Sequence, residues 1–275
     1  MIVLGGSSRQ SLTGARAVLD EKLKGLSAAD CSAISNDLFA VLVALDSSTG
    51  LRRALTDPAR DSASKAELIS DLFKKSVGAA TLALLTSAVS LRWSNPAELA
   101  DAVEQLAVEA EASAANISDS LDQVQSEIFS FSKIVLENQD LRQALSNTQD
   151  SVVRKQELLK SIFGSKFSTF SNALLSHSVE GRRSRSIEKT ISAYSHAVTA
   201  RRNRVNAHVR SSVALSDVQK KKLTDSLTKQ IGQPVHLNIE IDPSVLGGVA
   251  IRFGDEVIDG TIVNRLAQAS QALVG

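Results

Sequence analysis

The sequence predicts a mainly α-helical protein in which two similar helical bundles precede a small α+β domain with the order βαββα. Three observations support this fold class. Apolar residues recur at helical spacing over roughly the first 200 positions, a gapless repeat links two segments 90 residues apart, and strand-like alternation begins after about residue 200. We therefore expect three domains, at residues 1–110, 111–200 and 201–275.

The composition is that of an ordinary globular chain with long helices. Its 275 residues are 43% hydrophobic, which is enough to enclose more than one core. Only 14 glycines and 4 prolines interrupt the chain, and this scarcity favours helices over a many-stranded sandwich or barrel.

The helices of the two bundles can be located from apolar spacing and from the residues that end helices. Helical spacing is clearest at Ile34, Leu38, Val41, Leu42 and Leu45. Loops are predicted where Asp, Asn, Ser, Gly and Pro cluster, at residues 46–50, 57–58, 138–140 and 147–150. Asn95 and Pro96 predict an N-cap and a first helical residue, from which a long helix should run toward Asn116.

An internal repeat is the strongest feature of the first 200 residues. Segment 51–86 matches segment 141–176 in one register with eleven identities, among them the leucines and alanine of Leu51-Arg-Arg-Ala-Leu55 and Leu141-Arg-Gln-Ala-Leu145. The register predicts equivalent buried positions at Leu55 and Leu145, Leu68 and Leu158, Phe73 and Phe163, and Leu84 and Leu174. We refer to residues 1–110 and 111–200, which contain these two segments, as the first and second copies.

The last third of the chain has strand-like alternation. Apolar residues alternate with polar ones along Val205, Ala207, Val209 and Val213, again along Val235, Leu237, Ile239 and Ile241, and again along Val249, Ile251 and Phe253. Ser216 and Gln219 form a capping box that predicts a helix to Ile231, and a final helix is predicted over residues 261–274. These elements give the βαββα order.

Residues 242–261, which read DPSVLGGVAIRFGDEVIDGT, together with Arg265, resemble the C-terminal signature of ATP synthase delta subunits. In mitochondria this family is called the oligomycin-sensitivity-conferring protein (OSCP). Over about 120–275 the chain resembles the family, with signature positions at Gly247, Gly248, Gly254, Asp255, Asp259, Gly260 and Arg265. Members usually have one helical domain, so the two copies here resemble the duplicated form of some high-GC Gram-positive bacteria.

The resemblance implies a non-catalytic subunit that links two parts of a rotary enzyme. The helical domain of such a subunit receives the N-terminal helices of the alpha subunits at the top of the catalytic head, and its C-terminal domain receives the C-terminal end of the b subunit. It implies a location on the cytoplasmic face of the bacterial plasma membrane, as a peripheral subunit that resists rotor torque. We expect the second copy to be nearer the family's head-binding domain, because it alone carries Gly181-Arg182-Arg183.

Basic residues are concentrated in the C-terminal third, although the net charge of the whole chain is only +1. Candidate partner-binding residues are Arg182, Arg183, Arg185, Arg201, Arg202 and Arg204. Such runs are often solvated helix faces, and they can also capture acidic helices of a partner. Nucleic acid is the less favoured partner, because aromatic residues on which bases stack are nearly absent near these cations.

The sequence does not predict a catalytic, cofactor-binding or metal site. The glycines between residues 247 and 260 match neither the G-x-G-x-x-G pattern nor the Walker pattern with its lysine, which are the two common phosphate-binding loops. Turns explain these glycines better. The four histidines are scattered, and Cys31 has no second cysteine with which to form a disulfide. We expect no enzyme activity, no cofactor, no secretory signal and no membrane span.

Two other functions are compatible with these residues. One is a helical scaffold or adaptor whose C-terminal domain dimerises. The other is an RNA-binding protein that uses the basic C-terminal third, for which salt-sensitive RNA binding would be the distinguishing property.

Overall fold

A computed structural model describes residues 5–180, 185–231, 235–242, 245, 248–253 and 256–259. These residues form twelve helices and four strands. The chain divides into two compact units, residues 1–199 and residues 200–275. The mainly helical prediction with a small sheet near the C-terminus is confirmed.

The helical elements follow one another with short connections. Their bounds are α1 (Gly6–Leu23), α2 (Ala28–Ser47), α3 (Thr49–Thr56), α4 (Ser62–Phe73), α5 (Ala79–Ser90), α6 (Pro96–Ile117), α7 (Leu121–Glu137), α8 (Gln139–Ser146), α9 (Val152–Phe163), α10 (Thr169–Ser178) and α11 (Ile187–Val205). The twelfth helix lies in the second unit.

The helix boundaries confirm the repeat. Helices α3 and α4 of the first copy begin and end 90 residues before α8 and α9 of the second, and α5 begins 90 residues before α10. The helices on either side follow the same register, since α2 and α7 end 90 residues apart. Segments 51–86 and 141–176 therefore contain the same helices in the same order.

The matched core positions agree in burial, with one correction. Both members are buried in the pairs Leu55 and Leu145, Phe73 and Phe163, and Leu84 and Leu174. Leu68 and Leu158 were predicted to be buried, but both are only half-buried. The residue that follows each of them, Ile69 or Leu159, occupies the core instead. The two copies are therefore equivalent at these positions, as predicted. The buried face of α4 and of α9 is displaced by one residue from the predicted face.

An acidic residue caps the same helix in both copies. Asp37 Oδ2 accepts a hydrogen bond from the Gly78 N–H at 2.7 Å, at the N-terminus of α5. Ninety residues later, Glu127 Oε1 accepts from the Ser168 N–H at 3.0 Å, at the N-terminus of α10. Burial would raise the pKa of Glu127, but hydrogen bonds from Ser171 and Ser168 hold it below its usual value. The cap is part of the duplicated structure.

Helix α6 occupies the centre of the first unit. Asn95 caps it and Pro96 is its first residue, as predicted. It packs against α1, α2 and α3 of the first copy and also against α7 and α10 of the second. The domain boundary predicted between residues 110 and 111 lies inside this helix, and the division of residues 1–199 into two bundles stays a prediction.

Helix α2 is a core helix of this unit. By length and composition it is the one helix among the described residues that could cross a membrane. However, eight of its residues are buried in the protein. A core helix of a folded bundle accounts for such a pattern.

The second unit is a four-stranded sheet covered on one face by a helix. Its elements are β1 (Asn206–Ser211), α12 (Asp217–Ile231), β2 (His236–Ile241), β3 (Val249–Phe253) and β4 (Glu256–Asp259), with the strand order β2-β1-β3-β4. Strands β1 and β2 are parallel and are connected through α12, whereas β3 is antiparallel to β1. The core consists of Ala207, Val209, Leu227, Val235 and Ile251.

The structure corrects the predicted strand pattern in two places. Strand β4 was not predicted, because the glycines between residues 247 and 260 were assigned to turns; it pairs with β3 in a hairpin in which Phe253 faces Glu256. Val213 was predicted as a buried strand residue, yet it follows β1 and is exposed. The helix predicted over residues 261–274 lies outside the described residues.

We expect the substitution Gly248→Val to destabilise the second unit. Gly248 precedes β3 with a φ of 83°, a backbone conformation that a β-branched residue adopts only with strain. The cost should be at least about 1–2 kcal/mol, seen as a lower melting temperature for the sheet. Gly248→Asn is the control, because asparagine tolerates positive φ better; equal melting temperatures for wild type and the valine variant would contradict this account.

Candidate partner-binding surfaces

The described part of the chain contains no group of three or more His, Cys, Asp or Glu side chains that could hold a metal ion. A small pocket between α6 and α11 is lined by Glu104, Val108, Tyr194 and His196, among others. Glu104 in this pocket is bound to Arg185.

The two copies contact one another through an aromatic stack. The Phe39 ring of α2 lies on the His177 imidazole of α10, with ring centroids 3.9 Å apart and an interplanar angle of 8°. The Tyr194 ring of α11 lies beside Phe39, with centroids 6.2 Å apart. His177 Nδ1 is 3.0 Å from Glu180 Oε2, which fixes the imidazole. Phe39 is thereby completely enclosed.

A buried carboxyl group lies near the same contact. Burial raises the pKa of Glu111 on α6, while hydrogen bonds with Ser32 and Ser35 of α2 and the charge of His177 act in the opposite direction. Residues of α2, α6 and α10 thus form one polar cluster beside the aromatic stack. The position of His177 in the sequence, far from the other three histidines, gives no sign of this contact.

Two of the six basic residues predicted to bind partners are not available on the surface. Arg185 donates to the Glu104 carboxylate and lies 3.8 Å from the Asp101 carboxylate, so its charge is used inside the first unit. Arg201 is 2% exposed. Arg202 is half-buried on α11. Arg182 and Arg183, and the side chain of Arg204, lie outside the described residues.

The signature residues near the C-terminus are only partly described. Gly248 precedes β3, and Asp259 ends β4 at the position that pairs with Ala250. Gly247, Gly254, Asp255, Gly260 and Arg265 lie outside the described residues. Their assignment to stalk binding stays a prediction.

One apolar surface lies on α7 of the first unit. Phe129 is 68% exposed and Leu136 is 60% exposed, and they are seven residues apart, which places them on the same face of the helix. Half-buried Gln125 and Ser132 lie on that face as well. We call Gln125, Phe129, Ser132 and Leu136 the α7 stripe.

A second apolar surface lies at one end of the sheet in the other unit. Ile241 ends β2, and Val213 follows the end of the parallel neighbour β1. Val218 lies in the first turn of α12, which begins at the same end of the sheet. All three side chains are more than half exposed. We call Val213, Val218 and Ile241 the sheet-end patch.

Known proteins that are similar to this chain include a family that matches more than half of it and relatives that match almost all of it. The sequence profile of the family described as ATP synthase delta (OSCP) subunit matches residues 100–273. The chain is 39% identical to the ATP synthase subunit delta of Streptomyces griseus subsp. griseus, over 99% of this chain and 100% of that protein. It is 38% identical to the protein of the same name from Thermobifida fusca, over 98% of this chain and 99% of that protein.

A solved structure gives a weaker match. A chain in the cryo-EM structure of the Toxoplasma gondii mitochondrial ATP synthase hexamer aligns with a TM-score of 0.31 and 20% identity, over 61% of this chain and 97% of that chain. That overlap is too low to support an argument about the fold.

Proposed function

Because the chain belongs to the ATP synthase delta (OSCP) subunit family, a non-catalytic component of ATP synthase, we propose that it connects the catalytic head to the peripheral stalk. In this proposal residues 1–199 bind the N-terminal helices of the alpha subunits and residues 200–275 bind the C-terminal end of the b subunit. The chain holds the head against the torque of the rotor during proton-driven ATP synthesis.

The observation that carries this proposal is similarity over almost the whole chain. Relatives named ATP synthase subunit delta align with both units and with both helical copies. The family profile begins at residue 100, within α6, and includes the whole second copy. This supports the second copy as the equivalent of the family's single helical domain.

The two apolar surfaces suit a connector. Torque resistance requires tight, specific contacts and no reactive side chain, and helix-in-groove contacts with apolar anchors provide them. The α7 stripe lies in residues 1–199, the unit that we propose binds the catalytic head. The sheet-end patch lies in the unit assigned to the stalk, and we propose that it contacts the b subunit.

The location follows from these partners. As a subunit of ATP synthase the chain is associated peripherally with a membrane-embedded complex. We place it on the cytoplasmic face of the bacterial membrane, where the catalytic head of a bacterial enzyme lies.

Reconstitution of stripped membranes tests the proposal. In inverted vesicles from which this chain has been removed, we expect ATP hydrolysis by the head to continue but proton pumping to be lost, because nothing holds the head stationary. Adding the wild-type chain should restore ATP-driven proton uptake, measured by quenching of a pH-sensitive dye. Coupled pumping in fully stripped vesicles would refute the proposed function.

The same assay locates the stalk contact. The Ile241→Asp chain should restore pumping at least about tenfold less effectively at limiting concentration, since a charge in the centre of an apolar contact weakens it strongly. Leu72→Asp, which changes an apolar residue of similar exposure on α4, is the matched control and should restore pumping fully.

A further inference from the structure

We propose that His177 forms a proton-dependent contact between the two copies. In its charged form the imidazole holds α10 of the second copy against α2 of the first, and loss of the proton weakens that contact. The pH around the protein therefore sets how firmly the two copies are joined. This contact lies inside residues 1–199 and acts whichever partners the chain binds.

Helix α6, which contacts helices of both copies, is acidic along its length. It carries five carboxylates and no lysine, arginine or histidine. Four of these carboxylates are buried, at Glu98, Glu104, Glu109 and Glu111. A buried carboxylate is costly unless a cation or hydrogen-bond donors face it. The partners of each carboxylate therefore decide how the contacts of this helix respond to pH.

Two of the buried carboxylates are paired with arginines. Arg16 of α1 donates to Glu109 at 2.8 Å, and Arg185 donates to Glu104. A guanidinium group stays protonated in proteins, so these two pairs do not change with pH near neutrality. Glu98 accepts hydrogen bonds from uncharged donors at the start of the helix.

Glu111 differs from these carboxylates, because the cation that acts on it is a histidine. Burial raises the pKa of Glu111, while a hydrogen bond with Ser32, the positive charge of His177 and a hydrogen bond with Ser35 lower it. Histidine is the side chain whose charge ordinarily changes between about pH 5 and pH 8. The charge balance at this carboxylate therefore varies with pH, unlike that of the arginine-paired carboxylates.

The imidazole of His177 faces one oxygen atom in each copy. Nδ1 lies 3.0 Å from Glu180 Oε2, and Nε2 lies 3.4 Å from Asn36 Oδ1 on α2. Neutral imidazole has one N–H and can donate to only one of these oxygens, whereas imidazolium has two and can donate to both. The ring also lies flat on Phe39, and an aromatic face attracts a cation. The proton therefore adds attraction between α10 and α2.

The groups around His177 include two carboxylates and three uncharged side chains, contributed by the end of its own helix, α6, α2 and α11: Glu180, Glu111, Asn36, Phe39 and Tyr194. Both carboxylates attract a charged imidazole. Gln156 of α9 donates to Glu180 Oε1 at 3.1 Å, which keeps that carboxylate directed at the ring.

The two titrating groups affect stability in the same direction. A carboxyl group whose pKa is raised on folding contributes stability below its unfolded pKa and loses it as the pH rises through its folded pKa, which is the case of Glu111. The contacts of a charged imidazole are likewise present at low pH and are lost when the proton leaves. The contact between the copies should therefore weaken as the pH rises from about 5 to about 8.

Denaturant unfolding of the full-length chain at two pH values, followed by far-UV circular dichroism, tests this contact. We expect His177→Gln to raise the unfolding equilibrium constant at least about tenfold more at about pH 5.5 than at about pH 8.5, because a hydrogen bond to a charged group contributes roughly that factor. His196→Gln removes an exposed histidine of α11 and is the matched control. Its effect should be small and equal at the two pH values.

Amide hydrogen exchange gives a local measurement of the same contact. After correction for the intrinsic effect of pH on exchange, the amides of α10 should be better protected at about pH 5.5 than at about pH 8.5 in the wild type. In His177→Gln this difference should disappear.

Two results would overturn the proton-dependent contact. If His177→Gln destabilises the chain equally at both pH values, the ring only fills space between the copies, and if it destabilises more at the higher pH, the direction is wrong. If this variant does not fold, Glu180→Gln replaces it, since it keeps the imidazole and removes the charge that Nδ1 faces. Glu180→Gln should reduce the pH dependence of the unfolding constant at least about threefold, and an unchanged dependence would again overturn the contact.

Discussion

Replacing Phe39 with alanine is expected to destabilise the helical unit by about 3–5 kcal/mol, the range for removing a fully buried aromatic side chain. The ring lies in the contact between the two copies, where it stacks on His177 and contacts Tyr194. The substitution leaves a cavity there and removes the stack, which contributes beyond the buried area. Chemical denaturation followed by far-UV circular dichroism should show the change as a lower midpoint.

The repeat supplies a matched control for this prediction. Phe129→Ala removes the same side chain from the equivalent position of the second copy, where it is 68% exposed. We expect that substitution to change the free energy of unfolding by less than about 0.5 kcal/mol, as surface substitutions usually do. Equal costs for the two alanine variants would mean that the copies do not pack through Phe39.

Arg185→Ala is expected to cost about 3–5 kcal/mol, the range for breaking a buried ion pair by removing one of its members. The Glu104 carboxylate that Arg185 contacts is 3% exposed, and Asp101 lies within ion-pairing distance of the same guanidinium. The substitution takes the positive charge of the guanidinium away from both carboxylates. The midpoint of chemical denaturation at neutral pH is again the measurement.

Arg154→Ala is the control for Arg185→Ala, because it removes an ion pair at the surface of the protein instead of a buried one. Arg154 forms an exposed pair with Asp150 at 3.0 Å, and exposed pairs contribute at most about 1 kcal/mol. The two variants also decide between two roles for Arg185. If Arg185→Ala kept its stability but bound the alpha or b subunit more weakly, the sequence-based assignment to partner binding would be right and the internal role wrong.

Features that depend on local sequence were predictable. The N-cap at Asn95 with Pro96, and the capping box of Ser216 with Gln219, lie within a few residues of the helix starts that they specify. The repeat was predictable because identical spacing of apolar residues requires the same helices. The C-terminal strands β1 to β3 were found from alternation, whereas the four-residue β4 is too short and too acidic to show a period.

Features that depend on tertiary contacts were not predictable. Phe39 and Phe129 occupy the same place in the repeat, so no local pattern distinguishes the buried ring from the exposed one. Arg185 belongs to a run of basic residues whose sequence resembles a solvated face, and its acidic partners lie on α6, more than 80 residues away in the chain. His177 was one of four scattered histidines, and only the packing of α10 against α2 gives it a role.

The position of α6 has a mechanical consequence. This helix of 22 residues, about 33 Å long, contacts helices of both copies. A load applied to one copy therefore passes into the other along the hydrogen-bonded backbone of a single helix, which stretches very little, as well as across side-chain contacts, which can slide. Copies joined by a flexible linker would yield under the same load, whereas copies that share one common helix behave as one stiff strut.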